Sequence, residues 1–318
     1  MKIYRELEQL PTFKNAVLTI GSFDGVHPGH RHIIEEMQRE AQKLNGETVL
    51  ITFYPHPRIA LAEQKGAHSD LKLLCGLEEK AKLLESSGLD NLVVVPFTKE
   101  FSEQSPEDYI ECFLVRYFHP AQIVIGYDHR FGKGRSGDIE YLKKYQLKYN
   151  YQLLEISKQE VDGIAVSSTK IRNALLNGNV ALAAKMLGYN YNLSGTVVHG
   201  LHLGRKLGFP TANIKLIDSE KLIPEDGIYA VKVSCVGQSY NGMLYIGSRP
   251  SIDTDFGKTI EVNIFDFSDD IYGHKISVEF IDYIRDDIKF DSLTALSTQL
   301  EKDMSAAKNI LDSIEKTI

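Results

Sequence analysis

Two hydrophobic rhythms divide this chain. Up to about residue 187, short runs of consecutive apolar residues alternate with segments of helical period. The runs AVLTIGSF (16–23), TVLITF (48–53), NLVVVPF (91–97), AQIVIGYD (121–128) and YQLLEI (151–156) are apolar nearly throughout, as strands covered on both faces are. After His30, residues Ile33, Ile34, Met37, Ala41 and Leu44 fall on one helical face. Further helices are predicted over 77–86, 106–118, 168–176 and 180–187, the last two running into Gly178 and Gly188. Strands alternating with helices predict a parallel sheet with right-handed crossovers.

From 193 to 284 the rhythm changes. SGTVVHG, GIYAVKVSCV, SYNGMLYIG, TIEVNIFDF and HKISVEFIDYI are short alternating runs punctuated by Gly and Asp. That pattern predicts a small antiparallel barrel or sandwich. A closing helix is expected, with Leu293, Leu296, Leu300, Ala307, Leu311 and Ile314 on one stripe. The expected division is 1–187 and 188–318.

Composition narrows the class. At 318 residues two cores are the natural expectation. A net charge of -7 argues against a general nucleic-acid binder, which carries a basic face. Cys75, Cys112 and Cys235 are odd in number and far apart, which fits reduced thiols better than a disulfide frame or zinc site. The opening MKIYRELEQL lacks the apolar core of a signal peptide, and no run approaches a membrane span. The expectation is a cytoplasmic protein acting on small molecules, with no membrane or nucleic-acid partner, as a monomer or weak homo-oligomer.

Candidate chemistry begins at GSFDGVHPGH, residues 21–30, which leaves a strand and enters a helix. Gly21, Gly25 and Gly29 let the backbone approach a phosphate, with Phe23 and Asp24 leading in. The helix N-terminus offers unpaired N–H groups and the positive end of a dipole. His27 and His30 bracket the turn, so both imidazoles can face one oxyanion at an α-phosphate. Three later segments are candidates to complete the site: His56 in TFYPHP, the basic glycine loop GYDHRFGKGRSGD (126–138), and VSSTKIR (166–172). Alone, the loop reads equally as a solvated turn and Ser168–Thr169 as a helix cap.

A second cassette, GRKLGFPTANI, spans 204–214. Gly204, Arg205 and Gly208 supply a permissive basic loop. Thr211 and Asn213 alternate across Ala212, so on a strand they share a face. Their hard oxygens, with ATP phosphates and waters, suit a Mg2+ octahedron. PTAN alone reads equally as a turn with a capping Asn. Glu261, in the apolar run TIEVNIF with Asn263 on its face, is the candidate base for phosphorylation of an alcohol.

Together these residues resemble a known family. His27–His30 and 167–172 match the HxGH and SSTxxR motifs of the nucleotidyltransferase superfamily. With FGKGRSGD and GRKLGFPTAN added, the whole chain resembles the prokaryotic bifunctional riboflavin kinase/FMN adenylyltransferases, or FAD synthetases. The resemblance implies an α/β + β architecture: a Rossmann-like parallel-sheet nucleotidyltransferase domain, then an antiparallel β-barrel kinase domain with a C-terminal helix. It implies that the barrel phosphorylates riboflavin with ATP to FMN, and that the first domain adenylylates FMN with a second ATP to FAD and pyrophosphate. It assigns His27, His30, Ser168, Thr169 and Arg172 to the ATP phosphates, Asp128 and the 132–135 loop to the same cleft, Glu261 to the ribityl hydroxyl, and Arg285 and Phe290 to flavin. The chain departs from the family at Tyr245, where Asn is usual, at Ser251 for Thr, at His129 for Phe, and over 200–205.

Overall fold

The computed structural model describes residues 1–126, 129–157, 160–161, 164–200, 204, 207–247 and 258–315. The candidates Asp128 and Arg205, and the departures His202 and Ser251, lie outside the described residues. The chain divides into two compact units, Met1–Ser167 and Ser168–Ile318.

In the first unit, β1 (Lys2–Tyr4), β2 (Val17–Ile20), β3 (Thr48–Tyr54), β4 (Asn91–Pro96), β5 (Gln122–Gly126) and β6 (Gln152–Ile156) form one sheet in the order β1-β4-β3-β2-β5-β6. Every pairing in it is parallel. The continuous apolar runs are explained by cover on both faces. Leu18, Ile20, Ile51 and Ile123 pack with Phe113 and Phe118, whereas Val17, Leu50, Val94 and Val124 pack with Ile34 and Met37. The latter two lie on α1 (Pro28–Leu44), whose buried side is the stripe predicted after His30. α2 (Pro57–Gln64) and α3 (Leu77–Ser86) follow β3.

The strand order fixes where a ligand can bind. From β2 the chain steps outward through β3 to β4, while β5 and β6 lie on the other side of β2. The crevice at the carboxyl ends of β2 and β5 is therefore the switch point of the sheet, where open α/β sheets bind ligands. The first cassette leaves β2 at that crevice.

A short antiparallel pair, β7 (Glu160–Val161) and β8 (Ile164–Ala165), follows β6 in the first unit. In the second unit, β9 (Asn192–Val198), β10 (Ala212–Leu216), β11 (Gly227–Cys235), β12 (Gln238–Gly247), β13 (Thr259–Ile264) and β14 (Lys275–Arg285) close into a barrel, β10-β13-β12-β11-β14-β9. All its pairings are antiparallel. The C-terminal helix Leu293–Glu315 lies on the outside of the wall, with Ala307 and Leu311 against Ala230, Met243 and Ile281. Leu293, expected on its buried stripe, is 67% exposed because it opens the first turn.

By compactness the two units part between Ser167 and Ser168. The helices Ser168–Leu176 and Val180–Leu187 group with the barrel. The Leu175 carbonyl accepts the Glu225 N–H at 3.1 Å, and Gly178 leaves room for the Tyr283 ring.

Candidate active sites

The first cassette is a strained turn held from beneath. Phe23, Gly25 and Val26 have φ of 46°, 82° and 37°. For a β-branched valine that conformation is a genuine outlier, of the kind that collects at functional sites. Asp24 is buried, and its carboxylate accepts the N–H groups of Leu74 (3.0 Å) and Cys75 (3.1 Å). Cys75 Sγ in turn accepts the Gly25 N–H at 3.0 Å. Asp24 thus ties the turn to the segment before α3. Gly21 has a steric reason: a Cβ there would sit 3.0 Å from the Phe23 ring. Gly29 is the second residue of α1, after Pro28.

His27 is the N-cap residue of α1 and His30 lies in its first turn. Their rings stack with centroids 3.7 Å apart, and Phe23 covers His30 at 4.6 Å. The Nδ1 atoms of both histidines are buried and have no hydrogen-bond partner among the described residues. A pair of orphaned polar atoms at a helix start is what a ligand would satisfy. Burial pushes His27 down to about 4, against the pull of Asp24. Burial, then the neighbouring His27 and Lys80, push His30 well below the usual imidazole range. Both rings are neutral at neutral pH.

The remaining candidates of this unit fall in different places. His56 caps α2, its Nδ1 accepting the Arg58 N–H at 3.2 Å. The basic loop is built, with Phe131 and Gly137 pairing their backbones in both directions. A Cβ on Gly137 would meet the Phe131 ring at 2.6 Å. Arg130 pairs with Asp138 at 2.7 Å, and Asp138 also caps the helix Ile139–Tyr149. Lys133 and Arg135 stay exposed at the tip. Ser168, Thr169 and Arg172 stand in the opening turns of Ser168–Leu176, in the second unit. Sequence reading passed over Lys80, whose Nζ donates to the Ser22 carbonyl at 2.6 Å. The available signal was a lysine in an apolar slot of α3, between Leu77 and Leu84.

The second cassette converges on the barrel wall. Asn213 stands directly opposite Glu261, and Glu261 directly opposite Tyr245. Opposed residues share a face, as do residues two apart on a strand, so Thr211, Asn213, Glu261, Asn263 and Tyr245 form one patch. Met243 belongs to the same face, which is the outer one covered further along by the C-terminal helix. The Thr211 hydroxyl donates to Glu261 Oε2 at 3.0 Å, and Asn263 Nδ2 donates to the Pro210 carbonyl at 2.7 Å. Glu261 is 9% exposed.

Glycines frame this patch. A Cβ on Gly200 would lie 2.2 Å from Asn213 Nδ2, and one on Gly204 would lie 2.2 Å from the Phe209 carbonyl oxygen. Gly208 turns the chain with φ 82°. These are close backbone approaches that only glycine permits.

Arg285 is more occupied than the sequence implies. Its Nε and Nη2 donate to the two carboxylate oxygens of Asp303 at 2.8 and 2.6 Å, and Nη1 donates to the Asp286 carbonyl at 2.7 Å. The guanidinium carbon lies 5.8 Å from the centre of the Phe290 ring. Tyr245 donates to Asp287 at 3.0 Å, which ties the same segment to the wall beside Glu261.

Comparison with known proteins assigns each half of the chain to a family. The FAD synthetase family model matches residues 10–170, and the riboflavin kinase family model matches 187–311. A bifunctional riboflavin kinase/FMN adenylyltransferase of Listeria monocytogenes is 36% identical over 301 residues, covering 95% of this chain and 94% of the relative. One from Escherichia coli strain K12 is 36% identical over 312 residues, 97% of each chain. A crystal structure described as a macrolide-efflux protein from Streptococcus pneumoniae superposes with TM-score 0.87 at 33% identity, covering 97% of this chain and 99% of that one. That description names a different activity; the likeness establishes the shared fold. Among the described residues, no helix is long and apolar enough to cross a membrane. Two family models in this order, with relatives matched from end to end, settle the membership: the chain belongs to the bifunctional riboflavin kinase/FMN adenylyltransferases.

Proposed function

We propose that the two activities of the family divide between the two sites: His27 and His30 serve adenylyl transfer to FMN, and Thr211, Asn213 and Glu261 serve phosphorylation of riboflavin. The observation that supports this division is the contrast in chemistry. One site is a pair of neutral, stacked imidazoles with orphaned nitrogens at a helix start. The other is a hydroxyl, an amide and a carboxylate on adjacent strands.

In adenylyl transfer a phosphate oxygen of FMN attacks the α-phosphorus of ATP, and the bond to the β-phosphate oxygen breaks. Pyrophosphate leaves with the charge. A neutral imidazole has one N–H to donate. As negative charge develops nearby, the balance that keeps the rings uncharged reverses, because an adjacent anion favours imidazolium. His27 and His30 would thus stabilise the leaving group most at the transition state. Gly21, Phe23, Gly29 and the dipole end of α1 would seat the phosphates. The exposed Lys133 and Arg135, with Asp128, would line the cleft, and Ser168, Thr169 and Arg172 would bind phosphate on the family's motif.

In the kinase step the riboflavin 5′-hydroxyl attacks the γ-phosphorus, ADP leaves, and Glu261 takes the hydroxyl proton. The donor set fits Mg2+. Thr211 and Asn213 are hard oxygen ligands, and the Thr211 hydroxyl can keep its proton on Glu261 while offering lone pairs outward. Among the described residues no cluster of three His, Cys, Asp or Glu stands as a protein-only cage. That suits an ion held mainly by ATP phosphates and water. When bound, Mg2+ would neutralise phosphate charge; Arg205 would add to that. Phe290 would contact flavin.

The test is isotopic. From riboflavin, ATP labelled at the γ-phosphate should leave its label in FMN and FAD, whereas α-labelled ATP should label FAD alone. Label from the α-position in FMN, or none in FAD, would refute the scheme.

A further inference from the structure

Lys80 is 6% exposed, on the buried face of α3 with Leu84. Leu77, Ala81 and Leu84 pack into the core around it, so the pattern of the helix calls for an apolar residue at this position. An ammonium there carries a large desolvation cost. Among the described residues no carboxylate lies within ion-pair distance of it. Its nitrogen donates to the Ser22 carbonyl, the first peptide of the strained turn. Thr52 Oγ1, on β3, lies 3.3 Å from the same oxygen.

Fixing that oxygen fixes more than one atom. The peptide is planar and trans, so the Phe23 N–H points opposite to the Ser22 carbonyl. Phe23 is the first left-handed residue of the turn, and its ring lies against His30, which lies against His27. A continuous line of contacts thus runs from the Lys80 nitrogen to both imidazoles. We propose that Lys80 is a positioning residue for adenylyl transfer, clamping the Gly21–Gly25 turn through the Ser22 carbonyl so that Phe23, His30 and His27 are held in register.

The inference rests on the first unit being the adenylyltransferase. It has a second consequence, because the Lys80 charge also disfavours protonation of His30. The charged and titratable groups acting on the pair are Lys80 and His27 on His30, and Asp24 and Arg31 on His27. Removing Lys80 leaves burial and His27 as the forces on His30, so its pKa rises.

The experiment uses the full chain with Lys80→Met, which suits the core, and Lys80→Arg, which keeps the charge. FAD formation from FMN is measured, along with riboflavin phosphorylation and the ring-proton NMR titrations of the histidines. A misplacement of about 1 Å costs on the order of 100-fold, and a loss approaching that size, carried by kcat more than by the KM for ATP, is expected in Lys80→Met. Riboflavin phosphorylation should be unchanged. His30 should titrate at higher pH than in the wild type, and Lys80→Arg should recover part of the rate. Three outcomes overturn the proposal: unaltered FAD formation in Lys80→Met, an unmoved His30 titration, or collapse of the histidine resonances in both variants, which would mark Lys80 as a packing residue only. His30→Ala, run alongside, separates the failures. If it leaves FAD formation intact, the site reading itself is wrong; if it abolishes FAD formation while Lys80→Met does not, only this inference falls.

Discussion

Replacing Asp303 by asparagine tests whether Arg285 is an anchor of the barrel before it is a flavin contact. The Asp303 side chain is 2% exposed and that of Arg285 18%, and the two meet through two short hydrogen bonds. Gln299 adds a third donor to Asp303 at 2.9 Å. Removing one partner of a buried pair costs about 3–5 kcal/mol, because the other charge stays behind. Water reaches part of Arg285, so the lower end, about 3 kcal/mol, applies. For a chain segment of this size each kcal/mol moves Tm by about 2–4 °C, which gives a loss of about 6–12 °C. Calorimetry of the full chain would resolve the transition of the second unit. Replacing both partners, Arg285→Met with Asp303→Leu, should recover most of the loss, since an apolar pair of similar volume needs no compensation. An Asp303→Asn transition within about 1 °C of the wild type would refute the reasoning.

Two further outcomes follow from the same geometry. Gly200→Ala places a Cβ against the Asn213 amide; a displacement of about 1 Å costs on the order of 100-fold, so FMN formation should drop by that factor, with a higher Mg2+ requirement and unchanged conversion of FMN to FAD. Acidification should destabilise the first unit through His27: between pH 6.5 and about 4 the unfolded chain binds a proton that the folded ring refuses, so stability falls with pH through that window, by about 3 kcal/mol at its lower end. His30 adds in the same direction. Urea unfolding at pH 7 and near pH 4.5 would measure it, and His27→Gln should flatten the slope.

Elements buried on two faces were legible because their composition leaves no alternative. The helices 77–86, 168–176 and 180–187 were readable from period and glycine stops, and begin and end as predicted. The helix Ile139–Tyr149 was not: Leu142 is its buried residue while Leu147 is 98% exposed, so the stripe is too thin to see. β10 was legible only as a motif, since Ala212–Leu216 is short and Asn213 and Lys215 break its apolar pattern. The histidine pair and the Thr211–Asn213 alternation could be read because helix and strand periods place them. What holds them could not. The Asp24 link to Leu74 and Cys75, and the Lys80 link to Ser22, span 50 and 58 residues between unrelated elements. Arg285 carried a flavin role by resemblance, and nothing local announces Asp303 eighteen residues on.

If two separate sites on this chain act in sequence, each step must fail alone when its own site is broken. The most direct measurement is chromatography of flavins formed from riboflavin, and separately from FMN, with Mg2+ and ATP. His30→Ala should accumulate FMN from riboflavin and form no FAD from either. Glu261→Gln should leave riboflavin unconverted yet make FAD from supplied FMN at the wild-type rate. Wild-type FAD formation from riboflavin in either variant would mean that the two steps do not divide between these sites.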